Sequence, residues 1–214
     1  MTAPFVIDVV SDVICPWCFL AKRQLDAALA SLPDLEAMVR WRPFMLDPGI
    51  PPEGVDRHSY MLQKFGAERL KTLHDPLIAA GQKYGVPYDF EAITRTPNTL
   101  DAHRLIRWSH TAGRQTQVVE RLFMSYWSEG QDIGAHEVLA GCAADAGINP
   151  GQIRELLASD QDVAETKAEI QHAANMGVTG VPLFVLGQRY ALQGAQPPEV
   201  IADAIARTLQ ETPA

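Results

Sequence analysis

The chain has 214 residues, 47% of them apolar, which suffices for an ordinary core in one large domain or one domain carrying an insertion. The net charge is −8. Residues 1–129 carry 14 Lys/Arg against 15 Asp/Glu, and residues 130–214 carry 4 against 11, a balance that argues against nucleic acid or an anionic membrane as partner. Only residues 178–186 read as a continuous apolar run, far too short to span a bilayer.

Residues 5–10 (Phe-Val-Ile-Asp-Val-Val) read as a strand that the chain enters directly, with no basic residue before Lys22 and no separate hydrophobic stretch, so no secretory signal is expected. Cys15-Pro16-Trp17-Cys18 follows. Residues 19–32 then read as a helix with Leu25, Leu29 and Leu32 on one buried stripe. A Cys-x-x-Cys at a strand-to-helix junction is where a protein makes a reactive thiolate. The unpaired N–H groups and the positive dipole end of a helix start favour the anion of the first cysteine. The second sits one turn on, close enough to close a ring with it. Pro16 suits the first helical position, where its missing N–H has no partner to lose.

Residues 38–44 read as a second strand, completing a βαβ start. The breaker Asp47-Pro48-Gly49-Ile50-Pro51-Pro52 ends this pattern, and residues 57–175 have helical period almost throughout. Leu70, Leu73, Leu77 and Ile78 give one amphipathic helix. Asn98 reads as an N-cap with Asp101 as its capping-box acid. The helix it opens carries His103, Ile106 and Trp108. Val118, Leu122, Phe123 and Tyr126 mark another, and Val138, Leu139, Cys142 and Ala146 the next. Asn149-Pro150 caps one further helix, and Ser159 a last long one ending at Gly177.

Residues 181–186 and 189–192, separated by Gly187-Gln188, read as a hairpin. A final helix, residues 199–209, has Val200, Ile201, Ala204 and Ile205 inward. The two strand-rich ends have no plausible sheet partners except each other. Residues 1–48 and 177–214 therefore read as one α/β domain, with residues 49–176 inserted in it as a helical domain.

A βαβ unit with Cys-x-x-Cys, then Val-Pro before a β-hairpin, then a helix, resembles the thioredoxin fold, and the helical insertion resembles the DsbA-like family. The pattern Ser11-Asp12-x-x-Cys15-Pro16-Trp17-Cys18-Phe19-Leu20, with Asn98-Thr99-x-Asp101-Ala102-His103-Arg104 and Gly177-Val178-x-Gly180-Val181-Pro182, is similar to the FrnE-like branch. That branch is close to the 2-hydroxychromene-2-carboxylate isomerases and kappa-class glutathione transferases. Those relatives typically have Ser where Cys15 stands, and use glutathione as the thiol. The two cysteines here favour exchange by the protein's own sulfurs. The resemblance implies a thioredoxin-like α/β fold with a large all-helical insertion, and a DsbA-like thiol–disulfide oxidoreductase.

Cys15 is expected as nucleophile and Cys18 as the resolving thiol. Pro16 and Trp17 are expected to tune the redox poise, with Trp17 either contacting a substrate peptide or packing on the helix flank. Pro182 at the head of a strand leaves the backbone of Val181 free to pair with a guest chain; the resemblance further implies a cis bond there. Asp12 either accepts the Cys18 proton or caps the turn before the helix, capping being the more ordinary role. Asn98 and His103 match a motif that lines the site in the related isomerases. Their bland alternatives are a cap and a satisfied helix histidine. Cys142 reads as core. Arg104, Arg107, Arg114 and Arg121 read as a solvated face.

No metal is expected, because nothing completes a zinc set around the pair. No cofactor is expected beyond the Cys15–Cys18 disulfide, with glutathione as an optional cosubstrate. The expected partner is a disulfide- or thiol-bearing protein or small molecule, in the cytoplasm, with monomer or homodimer left open. A glutathione-dependent isomerase or transferase acting on a small aromatic or polyketide-like molecule is the alternative. A thiol-bearing chaperone or metal-binding module is a third.

Overall fold

The structure, a computed structural model, describes residues 4–211. β1 (Phe5–Ser11) leads through a turn into α1 (Pro16–Ala30), and β2 (Ala37–Pro43) returns parallel to β1, with Phe5 opposite Ala37 and Ser11 opposite Pro43. The chain then leaves the sheet. It runs through β3 (Val55–Asp56), α2 (Arg57–Phe65), α3 (Ala67–Leu70), α4 (Asp75–Tyr84) and β4 (Arg95–Thr96). Then follow α5 (Leu100–Thr111), α6 (Gln115–Trp127), α7 (His136–Asp145), α8 (Pro150–Leu157) and α9 (Val163–Asn175). β5 (Leu183–Leu186) and β6 (Tyr190–Gln193) rejoin the sheet before α10 (Pro198–Gln210).

The sheet order is β2-β1-β5-β6, with β5 antiparallel to β1 and Val10 opposite Leu183. The two ends of the chain thus complete one sheet, in a thioredoxin-like fold with a large helical insertion. Leu186 pairs with Tyr190, so the hairpin loop is residues 187–189, one longer than expected; Gly187 and Gln188 have positive φ (56° and 59°), and Arg189 N donates to Leu186 O at 3.1 Å.

Several expected elements shift. Residues 70–78 are not one helix: α3 ends, a turn intervenes, and Pro76 starts α4 near its N-terminus, where a proline costs no hydrogen bond. The cap of α5 is Thr99, and Asn98 stands one residue outside. Ser159 does not cap α9, which starts after Asp162; its hydroxyl donates to Leu156 O at 2.8 Å. Val200 is exposed, while Ile201 and Ile205 carry the buried face of α10. The short β3–β4 ladder inside the insertion leaves no alternation to read, being two residues a side.

Of the arginines expected on a solvated face, Arg114 is exposed and Arg107 and Arg121 are half-buried, but Arg104 departs from the expectation. Arg104 is buried, 2% exposed, and donates to the carbonyls of Gln161 (2.9 Å), Leu156 (2.8 Å) and Ser159 (2.6 Å) and to Asp101 Oδ1 (2.8 Å). Its guanidinium gathers carbonyls at and just beyond the end of α8, where intrahelical donors run out. Arg107 pairs with Asp162 and Glu169, and Arg121 with Glu129 and Asp145.

Aromatic packing locks the insertion onto α1. Phe19 stacks on Phe123 of α6 with centroids 5.2 Å apart, and meets Tyr88 edge-on at 5.9 Å. Trp127 Nε1–H donates to Val13 O at 3.0 Å, tying α6 to the turn before the cysteines. Phe123→Ala should cost about 3–5 kcal/mol of stability, the usual penalty for emptying a closed aromatic site. Urea denaturation measures it; a loss below about 1 kcal/mol would contradict this packing account.

Candidate active site

Cys15 occupies the N-cap position of α1, with extended φ and ψ (−94°, 111°), and Pro16 follows as the first helical residue. Cys15 O accepts from Cys18 N at 3.0 Å and from Phe19 N at 3.4 Å, so the first turn winds around this residue. No side chain caps the helix and its first turn carries no acidic residue, so the positive end of its dipole lies at Cys15. Both thiols are free. Cys15 faces a cavity; Cys18, 1% exposed, lies behind it.

Burial pushes the Cys18 thiol well above its ordinary range. Its hydrogen bond with Cys15 and the Cys15 charge add to this, as does the Asp12 charge, while a hydrogen bond from the Asp12 backbone opposes it. Asp12 is fully buried and does not cap α1. Its Oδ2 accepts from Leu46 N at 2.7 Å, and its Oδ1 stands 3.4 Å from His103 Nε2 with no hydrogen-bond partner. The capping role is therefore not the one this carboxylate has.

His103 is also buried, its Nε2 2.9 Å from Phe44 O. Asn98 donates from Nδ2 to Ile50 O at 2.6 Å and accepts from Leu100 N at 3.0 Å. Neither lines the cavity at Cys15. Both brace the loop after β2, residues 44–50, which carries Leu46 to the cavity wall.

The Val181–Pro182 bond is cis, and Cys15 Sγ lies 3.6 Å from Val181 O. Residues 166 apart in sequence thus meet at one point. The cavity beside them holds about 320 Å³. Trp17, 40% exposed, stands at its mouth; Tyr60, Phe65 and Trp127 give it an aromatic wall, and Arg57 enters from α2.

Two residues here escaped the sequence reading. Tyr88 donates its hydroxyl to Pro16 O at 2.6 Å, and burial, with the Cys15 and Cys18 charges, pushes its pKa up. Arg57 is 8% exposed and sits over the Trp127 ring at 5.4 Å. Tyr88 lies in the irregular stretch after α4, and Arg57 is the first residue of α2, where helical period alone gives a single arginine no signal. Cys142 packs in the core of the insertion, its sulfur 3.2 Å from Ser125 Oγ. Among the described residues, no three His, Cys, Asp or Glu side chains cluster as a metal site, and no helix is long and apolar enough to cross a membrane.

The model of the DSBA-like thioredoxin domain matches residues 6–206. The uncharacterized protein YwbO of Bacillus subtilis is 26% identical over 204 residues, covering 93% of this chain and 94% of that protein. The crystal structure of a Streptomyces coelicolor protein, described as a probable DsbA oxidoreductase, superposes with TM-score 0.90 at 29% identity, covering 98% of this chain and 92% of that one. The Pseudomonas aeruginosa cytosolic disulfide reductase DsbM with GSH shares the fold, with TM-score 0.65, 19% identity and coverage of 96% and 99%.

The buried Cys18 thiol fixes the sign of one pH effect. A folded-state pKa raised above the unfolded value stabilises the protein fully below the unfolded thiol pKa, about 8.5, and that contribution is lost as pH rises past it. The reduced protein should therefore lose stability above about pH 8.5, and Cys18→Ala should lose less over the same interval. Urea midpoints in the presence of reductant measure this; parallel pH profiles for the two proteins would contradict it.

Proposed function

Because the chain belongs to the DsbA-like thioredoxin family, we propose that Cys15 is the attacking sulfur of this thiol–disulfide oxidoreductase and Cys18 the resolving one. The observation that carries this is the asymmetry of the pair. Cys15 lines the cavity beside Val181 O, and Cys18 is closed off behind it. The Cys15 thiolate attacks a substrate disulfide, forms a mixed disulfide and releases one substrate thiolate. Cys18 loses its proton and attacks the Cys15 sulfur. The Cys15–Cys18 bond forms, the second thiolate leaves, and two electrons have passed to the substrate. Run backwards, the same steps oxidise a dithiol; the reduction potential of the pair sets the direction.

Asp12 takes the proton from Cys18. Its unpaired Oδ1 is fully buried, and its charge and backbone both act on that thiol. The Val181 backbone orients the substrate by strand-like pairing, and Trp17 offers it an aromatic face. Pro16 sets the start of the helix. Asn98 and His103 support the site through residues 44–50. We take residues 1–48 and 177–214 as the thioredoxin-like domain and residues 49–176 as the inserted one. The motif set supports the FrnE-like branch, and an odd, small number of cysteines fits a reducing cytoplasm, with glutathione as cosubstrate.

Cys15→Ser should reduce turnover of a model disulfide to background while the far-ultraviolet spectrum stays that of the wild type. Cys18→Ala should still attack once and stall as a mixed disulfide, visible as a mass adduct on Cys15. Undiminished turnover in Cys15→Ser would instead favour a glutathione-linked isomerase or transferase. Asp12→Asn should slow the resolving step more than the first attack; equal slowing of both would reject the proton-acceptor role.

A further inference from the structure

Among the described residues Arg57 is a buried cation with no carboxylate partner. Its Nη1 donates to the Tyr126 hydroxyl at 3.3 Å, and that hydroxyl donates in turn to Arg95 O at 3.2 Å. The guanidinium lies over Trp127, so its position is fixed from two sides. The neighbouring carboxylate, Asp56, is turned away to accept from Ser59 N at 2.9 Å. Among the described residues no Asp or Glu reaches salt-bridge distance of Arg57, whereas Arg104, Arg107, Arg121 and Arg154 each hold one. A charge withdrawn from water without a partner is costly, and that cost is recovered when an anion arrives.

The cavity Arg57 enters is the one that holds Cys15, Trp17 and Val181. No acidic side chain lines it, in a chain of net charge −8. Two more cations, Lys64 and Arg69, stand on its wall; Lys64 is engaged by the Tyr60 hydroxyl and Asp47, and Arg69 lies over the Phe65 ring. At about 320 Å³ the space is at the small end of the range for low-molecular-weight ligands, roughly 300–1,000 Å³.

We propose that Arg57 is the carboxylate anchor of this site, selecting a small anionic disulfide or thiol whose aromatic or apolar body fills the cavity while its sulfur meets Cys15. The inference rests on Cys15 being the attacking sulfur. Fixed donors beside aromatic rings give orientation, and the guanidinium fork matches a carboxylate in two hydrogen bonds.

The test compares two aromatic disulfides on the reduced full chain: dithiobis(nitrobenzoate), which carries carboxylates, and dithiodipyridine, which does not. With either probe Cys15 displaces one aryl thiolate, and Cys18 then closes the ring and releases the second. Arg57→Gln should lower the ratio of the two attack rates, charged over neutral, by roughly 10- to 100-fold relative to wild type. Arg57→Lys should fall between the two, having the charge without the fork. The ratio cancels any change in the reactivity of Cys15 itself. An unaltered ratio overturns the anchor. If neither probe is attacked at Cys15 in the wild-type protein, the nucleophile assignment fails instead. Should Arg57→Gln not fold, the wild-type protein decides: benzoate should slow alkylation of Cys15 by iodoacetamide, and benzyl alcohol should do so far less. Equal effects of the two would overturn the proposal.

Discussion

The pairing of β1 with β5 is the constraint on which the site depends. Val10 lies opposite Leu183 at the end of this ladder, Val10 one residue before β1 ends and Leu183 one residue after Pro182. One strand ends at the turn that delivers Cys15, and the other begins just after the Val181–Pro182 bond. A one-residue slip would turn every side chain of β5 to the opposite face and remove Phe184 and Leu186 from the core, where both are essentially unexposed. The meeting of Cys15 Sγ with Val181 O, across most of the chain's length, is thus held by the central ladder and the apolar residues beneath it.

The insertion is more than a cover. Phe123, Tyr88 and Trp127 grip α1 and the turn before it from one side, and the loop after β2 grips Asp12 from the other through Leu46 N. Asp12 is in this way held beneath the pair by a backbone donor on one oxygen, while the other stays free of a hydrogen bond. The same helices bring Arg57 and the aromatic wall to the mouth of the site. The thiol pair therefore comes from the strand-helix junction, and the wall of the cavity facing it comes largely from the insertion.

Much of this was legible in the sequence, and the rest was hidden for physical reasons. Cys15, Pro16 and Cys18 announced themselves because a thiol pair at a helix start has few other uses. The strands of the sheet showed through their apolar runs and the Gly187-Gln188 turn. Asn98 and His103 were visible as a motif, yet their task differs from lining the cavity: they tie residues 44–50 to α5. Arg104 was misread because its spacing suits a solvated face equally well, and only the end of α8 packed against it shows why it is buried. Arg57 and Tyr88 carried no local signal, since what gives them meaning is a tertiary approach to Cys15 and Trp127.

The central claim is that Cys15 and Cys18, and no other sulfur, form the working pair. Peptide mapping by mass spectrometry after stoichiometric oxidation of the reduced protein tests it most directly. The account predicts a Cys15–Cys18 link within one chain, with Cys142 still alkylatable after unfolding. A link that includes Cys142, or a pair that stays reduced under conditions that oxidise simple dithiols, would contradict it.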